Sequence, residues 1–248
     1  MTPFTLRAVN TAADAENRIH DDRVAAEFGF RGGLVPGVTV YGYLTAPVID
    51  YFGPEWLEHG AMDVRFHQPI YQDDQVCVTL TPEAEGRVRV EAGASASGVA
   101  WLDHDTAPSP APCVAILVDR KIPSPETLAA GTVLGTLNLS LDLANATISA
   151  PLDPAIHGVA QPAVLLVLAN EIFIRNYQLG PWIHVSSEVR KFQSARDGEQ
   201  LRVCGRIENR SERKGHELVT FEVDISGPHG PVEHIRHTAI WRPRVSRS

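Results

Sequence analysis

The sequence predicts an α+β fold made of two similar halves, each a long apolar helix wrapped by a curved antiparallel sheet. Three observations support this prediction. Residues 38–52 and 161–179 carry apolar side chains on nearly every side of a helix, so both helices are expected to be buried. Strand-like segments separated by short turns follow each helix. Short motifs of the first half recur in the second, which indicates an internal repeat.

The repeat is clearest just after each helix. A Gly-Pro pair, which is a strong stop signal, ends the helices at residues 53–54 and 180–181. The pentapeptide Val-Arg-Phe-His-Gln at residues 64–68 recurs as Val-Arg-Lys-Phe-Gln at residues 189–193. An acidic turn and an apolar strand follow each copy. Because one sheet covers such a helix only by curling round it, we expect two sheets that pair edge to edge and cover both helices.

The repeat also predicts the domain boundaries. Prolines at positions 123 and 125 are typical of a linker between the halves. We therefore expect a first domain at residues 1–121, which carries the candidate functional loop. A linker at residues 122–131 and a second, mainly structural domain at residues 132–248 are expected to follow.

In the first half, residues 4–9 are predicted as a strand and residues 21–28 as a short helix that a glycine-rich turn ends. The buried helix at residues 38–52 follows, and Pro47 is expected to kink it because proline lacks a backbone donor. The proline-rich residues 104–112 are predicted as a loop that cannot join a central strand. The other predicted strands of this half lie at residues 61–68, 75–80, 87–96 and 113–118.

The second half follows the same plan. Residues 133–141 alternate regularly between apolar and other positions and are predicted as a strand. Pro162 suits the first turn of the helix at residues 161–179, where a missing backbone donor costs nothing. The remaining strands are predicted at residues 183–192, 200–209, 217–225 and 232–241.

The composition limits the partners and the cellular location. The chain has 248 residues and a formal net charge of -8, which argues against nucleic acid or an anionic membrane as the main partner. No uninterrupted apolar run reaches about 18 residues, so we expect no membrane span. The first residues lack the pattern of a signal peptide. The widely spaced Cys77, Cys113 and Cys204 are expected to be reduced, as in a cytoplasmic protein.

A polar loop before the first buried helix carries the candidate chemistry. It contains Asn17 and His20, then a glycine-rich turn at residues 29–33, and then Gly37 at the helix start. An unperturbed histidine titrates near neutrality, so His20 is the best acid/base candidate. The first amides of a helix lack internal partners, so the Gly37 amide can donate to a carbonyl oxygen.

This loop resembles the motif of the MaoC-like dehydratases, a family that includes the (R)-specific enoyl-CoA hydratases. The family motif reads Asp-x-Asn-Pro-aliphatic-His, followed by a Gly-Phe turn and by a His-Gly that opens the central helix. Asn17, Ile19 and His20 fall on its Asn, aliphatic and His positions. Residues 29–30 match the turn, and Gly37 matches the helix glycine. The resemblance implies the hotdog fold, and the internal repeat implies two fused hotdog domains, the double hotdog.

The resemblance also implies a function. It implies a lyase that adds or removes water at the double bond next to an acyl thioester, carried by CoA or by an acyl carrier protein. His20 would then be the acid/base group, Asn17 would orient, and the Gly37 amide would hold the thioester oxygen as it gains charge. A homodimer is expected from the family. The sequence has no glycine-rich nucleotide-binding loop, so no cofactor is expected.

The chain departs from the family motif at three positions. The catalytic Asp of the motif falls on Ala15, which has no proton to move. Glu16 and Asp14 flank it, and either carboxylate could replace the missing one. The Pro of the motif is Arg18, and the His before the helix glycine is Pro36.

Further residues are expected at a substrate site, and none at a metal site. Arg31 with the glycines that include Gly33 could form a small anion-binding nest, and Val38 and Tyr41 belong to the helix that opens beside it. We therefore expect these four residues to bind substrate. The pair of histidines at positions 234 and 237 falls in a predicted strand, where residues three apart point to opposite faces, so no metal is expected.

Two alternatives to a hydratase stay open. The first is an acyl-thioester hydrolase, because one fold supports several functions. The second is an acyl-binding protein without catalysis, which the alanine at position 15 favours. The sequence does not decide the acyl chain, the carrier or the direction of the reaction.

Overall fold

The computed structural model describes residues 3–146 and 158–244, and in these ranges it contains one antiparallel sheet of ten strands. The parts of the two predicted domains at residues 1–2, 147–157 and 245–248 lie outside the described residues. The strands, in chain order, are β1 (Phe4–Arg7), β2 (Gly60–Phe66), β3 (Gln75–Pro82), β4 (Val88–Ala92), β5 (Ala96–Leu102), β6 (Val133–Ser140), β7 (Ile183–Lys191), β8 (Gln200–Arg213), β9 (His216–Gly227) and β10 (Gly230–Arg242).

Two long helices lie against this sheet and share its core. The helices are α1 (Asp22–Glu27), α2 (Gly37–Phe52), α3 (Trp56–His59) and α4 (Pro162–Asn176). Both α2 and α4 were predicted, and their buried side chains form one continuous apolar cluster with the inner face of the sheet. In the described part of the chain, no helix is long and apolar enough to cross a membrane.

The strand order confirms the predicted repeat. Across the sheet it is β1-β3-β4-β5-β2-β7-β10-β9-β8-β6. Counted inward from each outer edge, both halves place their first strand outermost, then their third, fourth and fifth, and their second strand innermost. The second strands of the two halves therefore meet at the centre of the sheet, as the edge-to-edge prediction required.

The register of this central pair agrees with the sequence repeat. In the antiparallel pairing of β2 with β7, Ala61 lies opposite Arg190 and Arg65 lies opposite Ser186. The repeated pentapeptide makes Arg65 the counterpart of Arg190, so these two pairs are copies of each other. Asp63 and Glu188 lie opposite one another midway between them. The two halves are thus related by an approximate twofold axis through that central pair.

One predicted strand is a hairpin in the structure. Residues 87–96 were predicted as a single strand, but β4 ends at Ala92, and Gly93 adopts a left-handed conformation with φ 53°. The chain then returns as β5 from Ala96, a strand that the prediction missed. The turn was hidden because Gly93 is followed by small residues rather than by the Asn or Asp that usually marks a hairpin.

A second predicted strand, at residues 113–118, does not form. Its only β-bridge among the described residues is an isolated one between Val114 and Gly135 in β6. The Asn176 side chain accepts a hydrogen bond from the Gly135 amide and donates one to its carbonyl, so this part of the β6 edge is already occupied. Leu117 and Val118 are 56% and 99% exposed. Residues 113–118 have a high β-propensity, but they form no strand because the edge of β6 beside them is not free.

The expectation of three reduced cysteines is wrong for two of them. Cys113 and Cys204 form a disulfide, with their Cα atoms 5.3 Å apart and 91 positions between them in the sequence. Cys77 is free and exposed. The disulfide fixes the start of residues 113–118 to β8. Sequence spacing cannot reveal such a pair, because the fold alone brings the two cysteines together.

A buried ion pair links β7 and β10 next to the central strands. Lys191 and Glu233 lie opposite each other in register, and their charged groups form a hydrogen-bonded pair. Their side chains are 2% and 0% exposed. Burial raises the pKa of Glu233, and the nearby ammonium of Lys191 opposes that change. A carboxylate this deep in the sheet therefore depends on its lysine partner.

We predict that Lys191→Met lowers the free energy of unfolding by about 3–5 kcal/mol, because it leaves Glu233 buried without a partner. Adding Glu233→Met should recover most of that loss, since two buried apolar side chains leave no charge without a partner. Urea titrations of the two variants test this. The exposed pair Arg89–Glu83 is the control, and Arg89→Met should cost less than about 1 kcal/mol. A double variant as unstable as Lys191→Met alone would contradict the prediction.

Candidate active site

Two cavities meet at the loop that precedes α2. One has a volume of about 240 Å³ and is called the inner cavity; the other, of about 790 Å³, is called the outer cleft, and the two share part of their walls. Five residues, drawn from both halves of the chain, line both spaces: Asn17, His20, Pro36, Asn170 and Trp182. The predicted acid/base residue therefore stands at the boundary between the two cavities.

The two cavities differ in polarity. In the described part of the chain, no Asp, Glu, Lys or Arg side chain lines the inner cavity. Its walls include the apolar side chains of Phe30, Val40 and Phe66. The outer cleft contains charged residues of both signs, among them Arg120 and Arg175. This arrangement suits an amphipathic ligand with a polar handle outside and an uncharged tail inside.

The hydrogen bonds of His20 determine which ring nitrogen is protonated. Nδ1 lies 2.7 Å from the carbonyl oxygen of Leu34, and because a carbonyl only accepts, Nδ1 must carry the proton. Nε2 is then the nitrogen with the lone pair. Burial lowers the pKa of His20 below its usual value, while the bond to Leu34 opposes that change. His20 is therefore neutral at pH 7, with Nε2 able to accept a proton.

Asn17 fixes the position of this imidazole. Its Oδ1 accepts from the backbone amide of Trp182 at 3.1 Å, and its Nδ2 donates to the carbonyl oxygen of the same residue at 2.9 Å. These two bonds allow only one orientation of the side-chain amide. Nδ2 then lies 3.3 Å from Nε2 of His20, which agrees with Nε2 as the acceptor. Asn17 is a positioning residue, because the oxygen and the nitrogen of its side-chain amide both bind other protein atoms.

The backbone of His20 is held by the local structure of the chain. Residues Arg18–His20 form a single 3-10 turn capped by the Asn17 side chain. Gly33 packs directly on this turn, and a Cβ added at Gly33 would lie 2.0 Å from the His20 carbonyl oxygen. The amide of Gly33 donates to Asp22 at 2.7 Å. Gly33, predicted at the substrate site, thus supports His20 from the side of its backbone.

Gly37 begins α2 at the wall of the inner cavity. The amides of Thr39 and Val40 donate to the carbonyl of Pro36, whereas the Gly37 amide has no partner among residues 3–146 and 158–244. Within the described residues, the first turn of α2 therefore offers a free donor. Glycine is required here, because a Cβ at position 37 would lie 2.7 Å from Nδ1 of His184.

His184, which the sequence did not single out, belongs to a buried chain of hydrogen bonds. Its Nε2 lies 2.8 Å from the Ser187 hydroxyl, which lies 3.0 Å from Nδ1 of His237. The two rings stack with centroids 4.0 Å apart. Burial lowers the pKa of His237 to about 3 and holds that of His184 well below its usual range. A neutral, buried imidazole thus packs against the start of α2.

Other predicted site residues lie farther from the inner cavity. Glu16 and Val38 line the outer cleft, where the Glu16 carboxylate pairs with Arg120. Arg31 pairs with Asp74 and covers the Tyr71 ring at 4.1 Å, and it lines neither cavity. Tyr41 is fully buried in the core.

Among the described residues, His20 has no acidic partner. Ala15, at the family's Asp position, lines the outer cleft. Leu34 and Asn17 supply the polar contacts of His20, and no carboxylate in the described ranges forms an ion pair with it.

The histidines predicted to face apart do so, since His234 binds Asp224 and His237 binds Ser187. No group of three metal-binding side chains occurs in the described ranges.

Comparison with known proteins identifies the fold. No family model and no curated protein matches the sequence. Among solved structures, a proposed MaoC domain protein dehydratase from Chloroflexus aurantiacus superposes with a TM-score of 0.61 at 10% identity, over 97% of this chain and 93% of its own. A conserved hypothetical protein from Mycobacterium tuberculosis, described as a double hotdog, gives 0.62 at 14%, over 96% and 95%.

A proposed oleoyl thioesterase from Lactobacillus plantarum has the same fold, with a TM-score of 0.51 at 12% identity, over 98% of this chain and 96% of its own. Identities this low establish the fold and not the activity. The chain thus has the hotdog fold, which it shares with MaoC-like dehydratases and double-hotdog proteins, and the predicted resemblance is confirmed at this level.

We predict that Gly37→Ala lowers the free energy of unfolding by about 1–3 kcal/mol, because its Cβ overlaps His184. Combining it with His184→Ala removes the overlap, so the double variant should be more stable than the sum of the single losses implies. A double-mutant cycle from urea titrations measures this coupling. Gly180→Ala is the control and should be nearly neutral, since a Cβ there meets nothing within 4 Å. Strict additivity would contradict the prediction.

Proposed function

We propose that the protein is a MaoC-like hydratase that adds water reversibly across the double bond of an enoyl thioester. The observation that supports this most directly is the place of His20. A neutral imidazole with a basic Nε2 lies where a charged cleft meets an uncharged cavity. An acyl thioester crossing that boundary would have its carrier in the cleft, its chain in the cavity, and its reacting carbons beside His20.

In the proposed reaction, a water molecule replaces the long 3.3 Å hydrogen bond from Asn17 Nδ2 at Nε2 of His20. Nε2 then takes a proton from this water while the water oxygen bonds to the β carbon. The electrons of the double bond move toward the thioester carbonyl, which becomes an enolate. The protonated Nε2 then returns its proton to the α carbon, so that one H and one OH have been added. A single histidine suffices for both transfers, which fits a site where no carboxylate accompanies His20.

The Gly37 amide is the proposed donor to the enolate oxygen. Its N–H has no partner in the described part of the chain and sits at the positive end of α2. A donor of this kind, fixed before the reaction begins, typically contributes about 10²–10³-fold to the rate. The His184 ring packs against Gly37 and so supports the first turn of α2. The second half of the chain therefore contributes to the geometry of the site.

The proposed division of the chain follows from these roles. The first domain, residues 1–121, supplies the reacting groups. The second, residues 132–248, completes the walls of the site and is joined to the first by the linker at residues 122–131. Within this proposal, Val38 contacts the carrier in the outer cleft. Arg31, Gly33 and Tyr41, which the sequence predicted to bind substrate, line neither cavity and have no direct contact with it. A homodimer in the cytoplasm, acting on CoA or carrier-protein thioesters, completes the proposal.

An acyl-thioester hydrolase is the second candidate, and one observation favours it. A proposed oleoyl thioesterase has the same fold, and a base that activates water beside a helix-start amide can also direct that water at the thioester carbonyl. Release of free thiol from a saturated acyl-CoA would identify this activity. Loss of the enoyl absorbance without thiol release would identify hydration.

We expect the wild-type protein to hydrate crotonyl-CoA or a longer enoyl-CoA, and His20→Ala to lower kcat/KM by about 10²–10⁴-fold, because the acid/base group is lost. The decay of the enoyl thioester absorbance measures the rate. His104→Ala, which changes an exposed histidine outside both cavities, is the matched control and should keep full activity.

Two results would contradict this assignment. The first is no turnover of any enoyl-CoA by the wild-type protein. The second is a loss in Glu16→Gln as large as that in His20→Ala, which would move a proton-transfer role to Glu16. If Glu16 only pairs with Arg120, its loss should cost less than about fivefold, since pairs this exposed contribute little.

In the range around neutral pH, kcat/KM should fall on the acid side and should not fall on the alkaline side. Burial lowers the pKa of His20, and the reaction needs the neutral ring, so activity should be constant at pH 7 and fall as pH drops through that lowered pKa. The midpoint should therefore lie below 6.5, the ordinary value for histidine. A rate that instead falls as pH rises from 6 to 8 would mean that the protonated ring is the active form.

A further inference from the structure

One polar side chain at the site forms no hydrogen bond with the protein. Asn170 lies on α4, in the second half of the chain, and lines both the inner cavity and the outer cleft. Its Oδ1 is buried without a hydrogen-bond partner, and among the described residues its Nδ2 has none either. A buried amide without partners costs free energy, because it has lost its hydration and gained nothing in return. A ligand that bonds to this amide would remove that cost.

The two asparagines that are buried in the described part of the chain show what a structural role looks like. Asn176, six positions further along α4, binds the amide and the carbonyl of Gly135 and a carbonyl of its own helix. Asn17 binds the backbone of Trp182 with both atoms of its amide. Asn170 makes no bond of this kind, so the fold does not explain its amide.

A water molecule that attacks a carbon has two hydrogens to give to acceptors. Of the five residues that line both cavities, Pro36 and Trp182 have no side-chain acceptor, since an indole N–H only donates. Oδ1 of Asn17 already accepts from two backbone amides. Two side-chain acceptors remain at the shared wall, which are Nε2 of His20 and Oδ1 of Asn170.

The amide of Asn170 can present either of its atoms to the cavities. The oxygen is the covered atom in the structure, and no hydrogen bond holds it there. The last torsion of an asparagine side chain has a broad, roughly twofold profile, so a half-turn exchanges Oδ1 and Nδ2. A bound ligand therefore determines which atom faces the site.

We propose that Asn170 binds and orients the reacting water, with its Oδ1 accepting one hydrogen while Nε2 of His20 takes the other as a proton. The water oxygen then has a lone pair for the β carbon, and the hydrogen bonded to Asn170 stays on the new hydroxyl group. Asn170 orients the water from the second half of the chain, at a site where Ala15 supplies no carboxylate. This inference rests on the proposed function, to which it adds a second catalytic residue.

The variant Asn170→Leu tests this role, because leucine has nearly the same shape and no polar group. Its kcat for the enoyl-CoA that the wild-type protein hydrates best should fall by about 10- to 100-fold, the usual effect of a displaced reactant. Its Kd for a saturated acyl-CoA, measured by calorimetry, should change by less than about threefold, since the water is not part of that ligand. The midpoint of urea unfolding should stay the same or rise, since an unpartnered amide is removed.

Asn176→Leu is the matched control on the same helix, and the opposite pattern is expected. It removes three hydrogen bonds, so the urea midpoint should fall while kcat per folded molecule stays unchanged. Asn170→Asp keeps an acceptor oxygen in either protonation state, so it should lose less than about tenfold in kcat. Asn170→Ala provides the kcat measurement if Asn170→Leu does not fold.

The outcomes separate this inference from the proposed function. Hydration by the wild-type protein with full kcat in Asn170→Leu, or equal losses in Asn170→Leu and Asn170→Asp, would overturn the inference and leave the hydratase standing. Thiol release without hydration, lost in Asn170→Leu, would reject the hydratase and support Asn170, because water is the nucleophile in both reactions. A wild-type protein that turns over no acyl thioester would overturn both.

Discussion

The antiparallel pairing of β2 with β7 is the constraint on which the rest of the molecule depends. It joins two five-stranded halves into one sheet whose inner face covers both long helices. A single half would leave its apolar helix partly open to water, at a cost of about 25 cal/mol for each Å² exposed. The same pairing brings the start of β7, with Trp182 and His184, against the start of α2. The candidate site exists only where the two halves meet.

Within that junction, hydrogen bonds determine the chemistry more than charges do. Asn17 spans 165 positions of sequence to bind the backbone of Trp182, and in doing so it fixes the side that it presents to His20. Leu34 fixes the other side of the ring. The charged groups nearby, such as Glu16 and Arg120, are paired with each other. The imidazole therefore remains neutral and held in one orientation, as a proton acceptor must be.

Much of this architecture follows from the sequence, because apolar periodicity and an internal repeat are strong signals. They predicted both buried helices, the central edge-to-edge pairing and the loop with Asn17, His20 and Gly37. Failures came where local preference met a tertiary condition. Residues 113–118 have the composition of a strand but meet an edge that Asn176 occupies, and β5 was hidden behind a turn without the usual residues.

The groups that sequence reasoning missed in the site share one cause. His184 matters because its ring touches Gly37, and Trp182 matters because its backbone binds Asn17. In both cases the partner lies in the other half of the chain, and no local pattern records a contact of that range. The Cys113–Cys204 disulfide was missed for the same reason. Prediction from one sequence therefore finds candidate reactive groups more readily than the groups that hold them.

The two central helices begin differently, and under the proposed function this difference sets the number of reaction centres in each chain. Gly37 begins α2 with an N–H that has no partner in the described ranges, whereas Pro162 begins α4 at the corresponding place in the second half. A proline nitrogen carries no hydrogen, so that helix cannot offer the same donor to a carbonyl oxygen. The twofold symmetry of the sheet is therefore not a symmetry of chemistry. Within the described residues, the proposed reaction therefore finds its helix-start donor in the first half of the chain and not at the start of α4.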